Sequence, residues 1–460
     1  MKKIAVIGGG ITGLTTAFEL EQKIKEGHEL AYDLYEASNR LGGKIETIRK
    51  DGFLIERGPD SFLARKTALI ELAEAVGLKE DLIRNQTGQA YILVNKKLHP
   101  IPAGSFMGIP TQLSPFLTTS LFSWSGKMRA AMDLFQKKET ETKDVSLGTF
   151  FRKRLGNEVV DHLIEPLLSG IYSGDINQMS TQATFPQFQK YGQEYGSIIR
   201  GLQKEMPKKK RQTGKQVGQF MAFKNGFQSL VDAIVTHLPA EKIHLNTAVT
   251  RIQKMGKGYE LLLASGEKRY ADEVFITIPH PQLAQLLDDT ALAVWNDVPS
   301  NSVVNVALAF DAHQVDNPLE GTGFIISRKE TNRMTACTWT DQKWSHVASS
   351  GKTLLRVYLG KPADQEVTTL PDAALIEIIM QELKELVQVK GQPLFTVVTR
   401  YIEAMPQYTV GHLQRLQQLE ERLHAHYPGI VVSGSSFYGV GVPDCVLQAQ
   451  QSVRKRYNMK

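Results

Sequence analysis

Ile4-Ala5-Val6-Ile7-Gly8-Gly9-Gly10-Ile11-Thr12-Gly13 passes from an apolar run directly into a G-x-G-x-x-G spacing. The run predicts a buried strand, and Leu14 to Glu21 predicts the helix after it. Gly8 permits the sharp turn between them, Gly10 lets a pyrophosphate approach the backbone, and Gly13 lets helix and strand pack closely. Helix N–H groups then face the phosphates. Asp33-Leu34-Tyr35-Glu36 predicts the next strand, and Glu36 follows Gly13 by about the twenty residues expected of a ribose-binding carboxylate. These segments predict the opening unit of a doubly wound α/β domain that holds a dinucleotide.

Working outward, Arg40-Leu41-Gly42-Gly43-Lys44 places a glycine pair between cations, where a pyrophosphate close to the backbone can be neutralised. Gly52-Phe53 and Glu56-Arg57-Gly58-Pro59-Asp60-Ser61 follow. From about Ser105 to Glu194 the pattern is helical, and Trp124, Met128, Met132 and Phe135 fall on one stripe, predicting a packed helical core. Residues 204–218 read as a polar linker, and Lys208-Lys209-Lys210-Arg211 within them as a solvated loop. Beyond Gly226 come a helix to His237 and strands at Ile243 to Leu245, Ala248 to Gln253, Tyr259 to Ala264 and Val274 to Thr277. Further strands are expected at Val303 to Phe310, Thr335 to Trp339 and Leu354 to Leu359, with a helix near Ala373 to Val387. The tail alternates again, with Ile430 to Ser433 as strand and Gly441 to Arg454 as helix, Pro443 standing in its first turn. The chain therefore begins and ends in one domain.

A length of 460 residues suits two or three domains. The hydrophobic share of 42% and charged share of 22% are those of ordinary globular proteins. A net charge of +6 favours anionic partners in general, but no basic patch with interleaved aromatics supports nucleic acid. Only Cys337 and Cys445 are present, so neither a disulfide framework nor a metal-ligand spacing is predicted. No signal-peptide cleavage pattern follows the first apolar stretch, and no run of 18 or more apolar residues predicts a membrane span. A cytoplasmic protein is expected, with peripheral membrane contact through the helical region left open.

The blocks at 40–44 and 56–61 resemble those of the flavin amine oxidase superfamily, whose glutathione-reductase-type Rossmann domain binds FAD. Three distant segments narrow the resemblance. They are Glu165-Pro166-Leu167-Leu168-Ser169-Gly170-Ile171-Tyr172-Ser173-Gly174-Asp175, then Arg400 to Tyr408 with Gly411-His412, and Ser433-Gly434 through Tyr438-Gly439-Val440-Gly441-Val442-Pro443-Asp444-Cys445. With them the chain resembles, over nearly its whole length, the coproporphyrinogen III oxidase and protoporphyrinogen oxidase family of the soluble Gram-positive bacterial type.

The resemblance implies an FAD-binding domain from 1–86, 221–285 and 401–460, an interleaved α+β substrate domain from 87–105, 191–220 and 286–400, and a helical subdomain over 106–190. Carried over position by position, the FAD contacts come from Gly8, Gly9, Gly10, Ile11, Thr12, Gly13, Glu36, Ala37, Arg40 and Lys44. Gly58, Pro59, Asp60, Ser61, Val249, Tyr401, Gly434, Val440, Gly441 and Val442 complete the set. Gly441 suits close approach of backbone to a flavin ring, and a helix starting near Pro443 can stabilise negative charge there. Lys66, Ile171, Tyr172 and Gly174 are the substrate-side candidates. Lys44 stands where many relatives have arginine, Tyr401 where tryptophan is commoner, and Ala90 where organellar protoporphyrinogen oxidases have an arginine near the substrate carboxylates.

The implied reaction is oxygen-dependent oxidation of coproporphyrinogen III in three two-electron steps, with hydrogen peroxide released. A porphyrinogen moves toward aromaticity at each step, so no strong side-chain base is required. Protoporphyrinogen IX as substrate, an amine or polyamine oxidase of the same superfamily, and a flavin-bound module without turnover are the alternatives. The segment around Cys445 lacks the Ser-Gly-Gly-Cys pattern of cysteine-linked amine oxidases.

Overall fold

The computed structural model describes residues 1–140, 143–205 and 218–457, so the run Lys208 to Arg211 lies outside the described residues. Its centre is a five-stranded parallel sheet in the order Ile243–His244, Leu30–Tyr35, Lys2–Ile7, Glu273–Ile276, Ile430–Val432. A parallel sheet is covered on both faces, which is why Val6, Leu34, Val274, Phe275 and Ile276 are all buried. Helices Ile11–Lys25 and Val442–Tyr457 pack together against one face. The antiparallel strands Val249–Met255, Gly258–Leu263 and Lys268–Ala271 share a hydrophobic core with the other. The first and last parts of the chain thus build one doubly wound unit.

A seven-stranded sheet forms the second layer, in the order Phe395–Pro406, Ser300–Asp311, Lys352–Leu359, Met334–Trp339, Gly323–Ile326, Tyr91–Val94, Lys97–Pro100. Helix Asp372–Val387 covers it through Leu375, Ile379 and Leu383, which recur at four-residue spacing. Strand Phe395–Pro406 runs from this sheet back toward the dinucleotide domain, and at Glu403 the backbone takes a left-handed φ of 45°. Such a conformation costs a non-glycine residue energy and re-aims the chain locally.

Between Leu113–Thr118 and Ile198–Glu205 the chain is helical, continuing past the expected end. The predicted core stripe of this layer is a correction, because Trp124 is 69% and Phe135 82% exposed, with Met128 and Met132 also at the surface. Helix Trp124–Ala131 turns its other face inward, where Gly126 and Ala130 are small enough for close packing and Lys127 donates to the Leu117 carbonyl. Just beyond it, Asp133 is fully buried and 3.0 Å from the equally buried Arg154. Asp133 also accepts from Ser197 Oγ at 2.6 Å and the Ile199 amide at 3.1 Å, and Arg154 donates to the Gly196 carbonyl. This polar knot fixes which face points inward, since a buried charge must stay paired.

The knot generates a stability prediction. Asp133→Ala removes one of the two carboxylates that hold Arg154, leaving Glu139 at 3.1 Å, and takes the acceptor from Ser197 Oγ and the Ile199 amide; it is expected to lower stability by about 3 kcal/mol, measured by calorimetry. A change within ~0.5 kcal/mol, as at an ordinary surface site, contradicts that role.

Candidate functional site

A single cavity of about 1670 Å³ runs from the glycine-rich turn to the helical layer, with both sheets contributing walls. At one end Gly8 has φ +105° and donates to the Tyr35 carbonyl, so the strand end and the turn are locked. Gly10 caps helix Ile11–Lys25 without a side-chain partner for the first-turn amides, and that turn carries no acidic residue. The positive end of the helix is therefore free to meet an anion. A β-carbon at Gly10 would meet nothing within 4 Å, whereas one at Gly13 would lie 1.8 Å from the Gly8 carbonyl oxygen. Gly10 faces open space, and Gly13 permits a protein contact.

Glu36 lines this end, its carboxylate held by the Gly9 amide at 2.6 Å and the Ser38 amide at 2.8 Å. Gly43 approaches Gly10 so closely that a β-carbon would sit 3.1 Å from the Gly10 Cα. Arg40 lies outside the cavity and ties this second loop by donating to the Leu41, Gly43 and Ile45 carbonyls. Lys44 does line the cavity. Burial pushes its pKa down, and among the described residues its ammonium donates only to the Ala404 carbonyl and no carboxylate is paired to it. A buried cation without a counter-ion, beside two glycine loops and a free helix terminus, fits a pyrophosphate.

Gly58, Pro59, Ser61, Val249, Tyr401, Val440, Gly441 and Val442 also line the cavity, as do Ile11, Thr12 and Ala37. The Tyr401 hydroxyl donates to the Lys44 carbonyl at 3.0 Å, and Gly58 packs under the same carbonyl. Asp60 is not at the cavity. It points beneath the floor to Lys343 at 3.0 Å and Arg356 at 3.3 Å. Burial opposes its ionisation, but these two cations hold its carboxyl well below the usual range. Gly434 lies behind the C-terminal loop, donating to Gln448 Oε1. Gly9 and Gly13 shape the turn without reaching the cavity surface.

At the other end, Lys66, Ile171 and Tyr172 line the wall. Lys66 forms an ion pair with Asp444 at 2.7 and 2.6 Å, so it is neither a solvated surface lysine nor a free cation. Burial, with Asp444 adding to it, pushes the Tyr172 phenol up. Gly174 is packed instead against Gln407, where a β-carbon would lie 2.2 Å from Oε1. Leu167, Phe106 and Ile325 supply further apolar wall, and among the described residues no histidine lines the cavity.

Tyr408, quoted in the sequence but given no role there, proves to be a support. Its hydroxyl donates to the Ser435 carbonyl and accepts from the Gly439 amide, each at 2.7 Å, while its ring stacks on His412 with centroids 4.1 Å apart. It thereby fixes the loop that carries Val440 to Val442. Asp444, Arg65 and Arg328 also line the cavity, and for the two arginines no sequence motif gave notice.

The two glycines yield separable expectations. Gly10→Val retains the fold and unfolds at the temperature of the cofactor-free unaltered protein, but loses bound dinucleotide because the side chain fills ligand space. Gly13→Val loses dinucleotide and unfolds earlier, because it breaks the strand-to-helix contact. Absorbance of released cofactor and calorimetry on both variants check this, and cofactor retained by Gly10→Val contradicts the placement.

The flavin containing amine oxidoreductase family matches residues 11–455. Coproporphyrinogen III oxidase of Bacillus subtilis (strain 168) is 48% identical over 98% of this chain and 97% of its own length. The enzyme of that name from Staphylococcus aureus is 42% identical, again over 98% of this chain and 97% of its own. A crystal structure from Exiguobacterium sp. 255-15, assigned to the protoporphyrinogen oxidases, superposes with a TM-score of 0.88 at 41% identity, covering 99% of this chain and 98% of that one. The glycine cradle, free helix terminus and unpaired Lys44 agree with what that family binds. The chain belongs to the flavin containing amine oxidoreductases, with FAD as its cofactor.

Proposed function

We propose that the protein oxidises coproporphyrinogen III to coproporphyrin III, with oxygen as electron acceptor and one hydrogen peroxide formed in each of three two-electron steps. The observation that carries this reading is the one continuous cavity, glycine-rich at one end and at the other walled by Leu167, Ile171 and Tyr172 with charged groups among them, in a chain 48% identical to a coproporphyrinogen III oxidase. Bound FAD supplies the two-electron acceptor. The chain's residues hold and orient. Gly8, Gly10, Ile11, Thr12, Glu36 and Lys44 would take the pyrophosphate and ribose, and Tyr401 and Val440 to Val442 would border the flavin.

Ile171, Leu167 and Tyr172 offer a flat substrate an apolar wall and keep water from the reacting carbon. Burial keeps the Tyr172 phenol protonated, and Lys66 is committed to Asp444. Neither is poised as a base, in keeping with a substrate whose pyrrole N–H protons leave as aromaticity is gained. The expected interleaved division into FAD, substrate and helical parts would then place substrate where all three meet.

No helix among the described residues is long and apolar enough to cross a membrane. We propose a cytoplasmic protein whose peripheral membrane contact, if made, uses the exposed face of Trp124, Met128, Met132 and Phe135. Co-sedimentation with phosphatidylglycerol vesicles, compared with the Trp124→Ser, Phe135→Ser variant, tests that face.

The substrate test is kcat/KM for coproporphyrinogen III, protoporphyrinogen IX and putrescine under identical salt, following porphyrin fluorescence and peroxide. A preference of about tenfold or more for the four-carboxylate substrate is expected, the effect of one added charge-assisted contact. Preference for protoporphyrinogen IX overturns the substrate, and turnover of the amine alone overturns the reaction class.

A further inference from the structure

The charged side chains on the cavity wall are unevenly partnered. Glu36 is held by backbone amides, Arg57 pairs with Glu46 at 2.9 Å, and Lys66 pairs with Asp444 at 2.6 Å. Lys44 belongs to the cofactor end. Arg65 and Arg328 remain, both on the wall and neither in an ion pair or hydrogen bond among the described residues.

Arg328 follows strand Gly323–Ile326, whose Ile325 lines the same cavity. It is half-buried, and burial makes its charged form less favourable. Glu165 and Asp175 favour its charged form electrostatically, without an ion pair to it among the described residues. Asp175 is occupied by the Asn177 amide and side chain, each at 2.8 Å, while the neighbouring Asp161 takes Arg152 and Lys329. A half-buried guanidinium without a protein partner has lost part of its hydration, and a carboxylate on a ligand can replace what is lost. Arg65 comes from a different part of the chain, after Phe62–Leu63, and rests on the Phe106 ring with 5.0 Å between guanidinium carbon and ring centre. That ring restrains the side chain without using its N–H donors.

We propose that Arg328 and Arg65 form the carboxylate-binding site of the cavity, each meeting one propionate-like side chain of the substrate through the planar fork of its guanidinium. The inference rests on a porphyrinogen as substrate. The site compensates for Ala90, which also lines the cavity and brings no charge. Lys66 is left to hold Asp444 at the start of helix Val442–Tyr457, and so plays no direct part in carboxylate binding.

The test is equilibrium binding of the oxidised products to the FAD-loaded protein, followed by fluorescence, with FAD content recorded for every variant. Coproporphyrin III presents four carboxylates and protoporphyrin IX two. Arg328→Gln and Arg65→Gln are each expected to raise Kd for coproporphyrin III by about tenfold or more, and to raise that for protoporphyrin IX less. Arg328→Lys, which keeps the charge and loses the fork, is expected to fall between. In turnover the loss falls on KM more than on kcat.

Unchanged Kd values in both Gln variants, or equal weakening for the two porphyrins, overturn the site. If Arg328→Gln loses FAD, Arg328→Lys and Arg65→Gln decide by the same contrast. Reduction of the flavin by coproporphyrinogen III in the unaltered protein separates the two ideas. Its absence overturns the substrate and the site together, whereas its presence with indiscriminate variants overturns the site alone.

Discussion

The contact between Gly13 and the Gly8 carbonyl governs the geometry of the molecule. A β-carbon at position 13 would stand 1.8 Å from that oxygen, so any side chain would push the first helix away from the central sheet. The helix would then no longer aim its free amides at the cavity, nor meet helix Val442–Tyr457 on the sheet face. The strand that ends at Ile7 is flanked in register by Leu30–Tyr35 and Glu273–Ile276. One tight approach thereby aligns segments from the beginning, middle and end of the chain. Local backbone sterics and long-range topology are the same constraint here.

The cavity that results is polarised by how its charges are partnered. Near the glycine loops the cation without an ion pair among the described residues is Lys44, whose ammonium donates to the Ala404 carbonyl. The floor is rigid because Asp60 is drawn away from the cavity by Lys343 and Arg356, and Arg356 also donates to the Gly58 carbonyl at 2.8 Å. Farther along, the Lys66–Asp444 pair links the loop after Phe62–Leu63 to the start of the last helix. Ion pairs of this kind add little net stability when half-exposed, but they set where backbone and side chains lie. Tyr408 does comparable work with neutral groups, joining Ser435, Gly439 and His412 behind the flavin-facing loop.

The helical layer shows how polar burial can override a hydrophobic pattern. Trp124, Met128, Met132 and Phe135 carry the spacing of a core-facing stripe, yet they face outward. The helix cannot bury them without withdrawing Asp133 from Arg154, and both of those side chains have no exposure at all. Withdrawing Asp133 would leave a buried carboxylate without its cation, a cost of several kcal/mol by the usual scale. The remainder of the layer is filled by Phe150, Phe151, Phe188 and their neighbours.

The doubly wound unit, the order of its strands in the chain and the glycines of the turn follow from sequence alone, because those features rest on local periodicity and on backbone shapes that only glycine takes freely. Glu36 and Lys44 were legible from short motifs that follow the second strand, whereas Tyr401, in the middle of strand Phe395–Pro406, and the 440–442 turn were reached through the family resemblance. The inward face of the helical layer, the diversion of Asp60 beneath the floor, the pairing of Lys66 with Asp444 and the exposure of Arg65 and Arg328 to the cavity were decided only by tertiary structure. Each depends on partners tens to hundreds of residues away, and Coulomb pairing and desolvation act across space with no period along the chain.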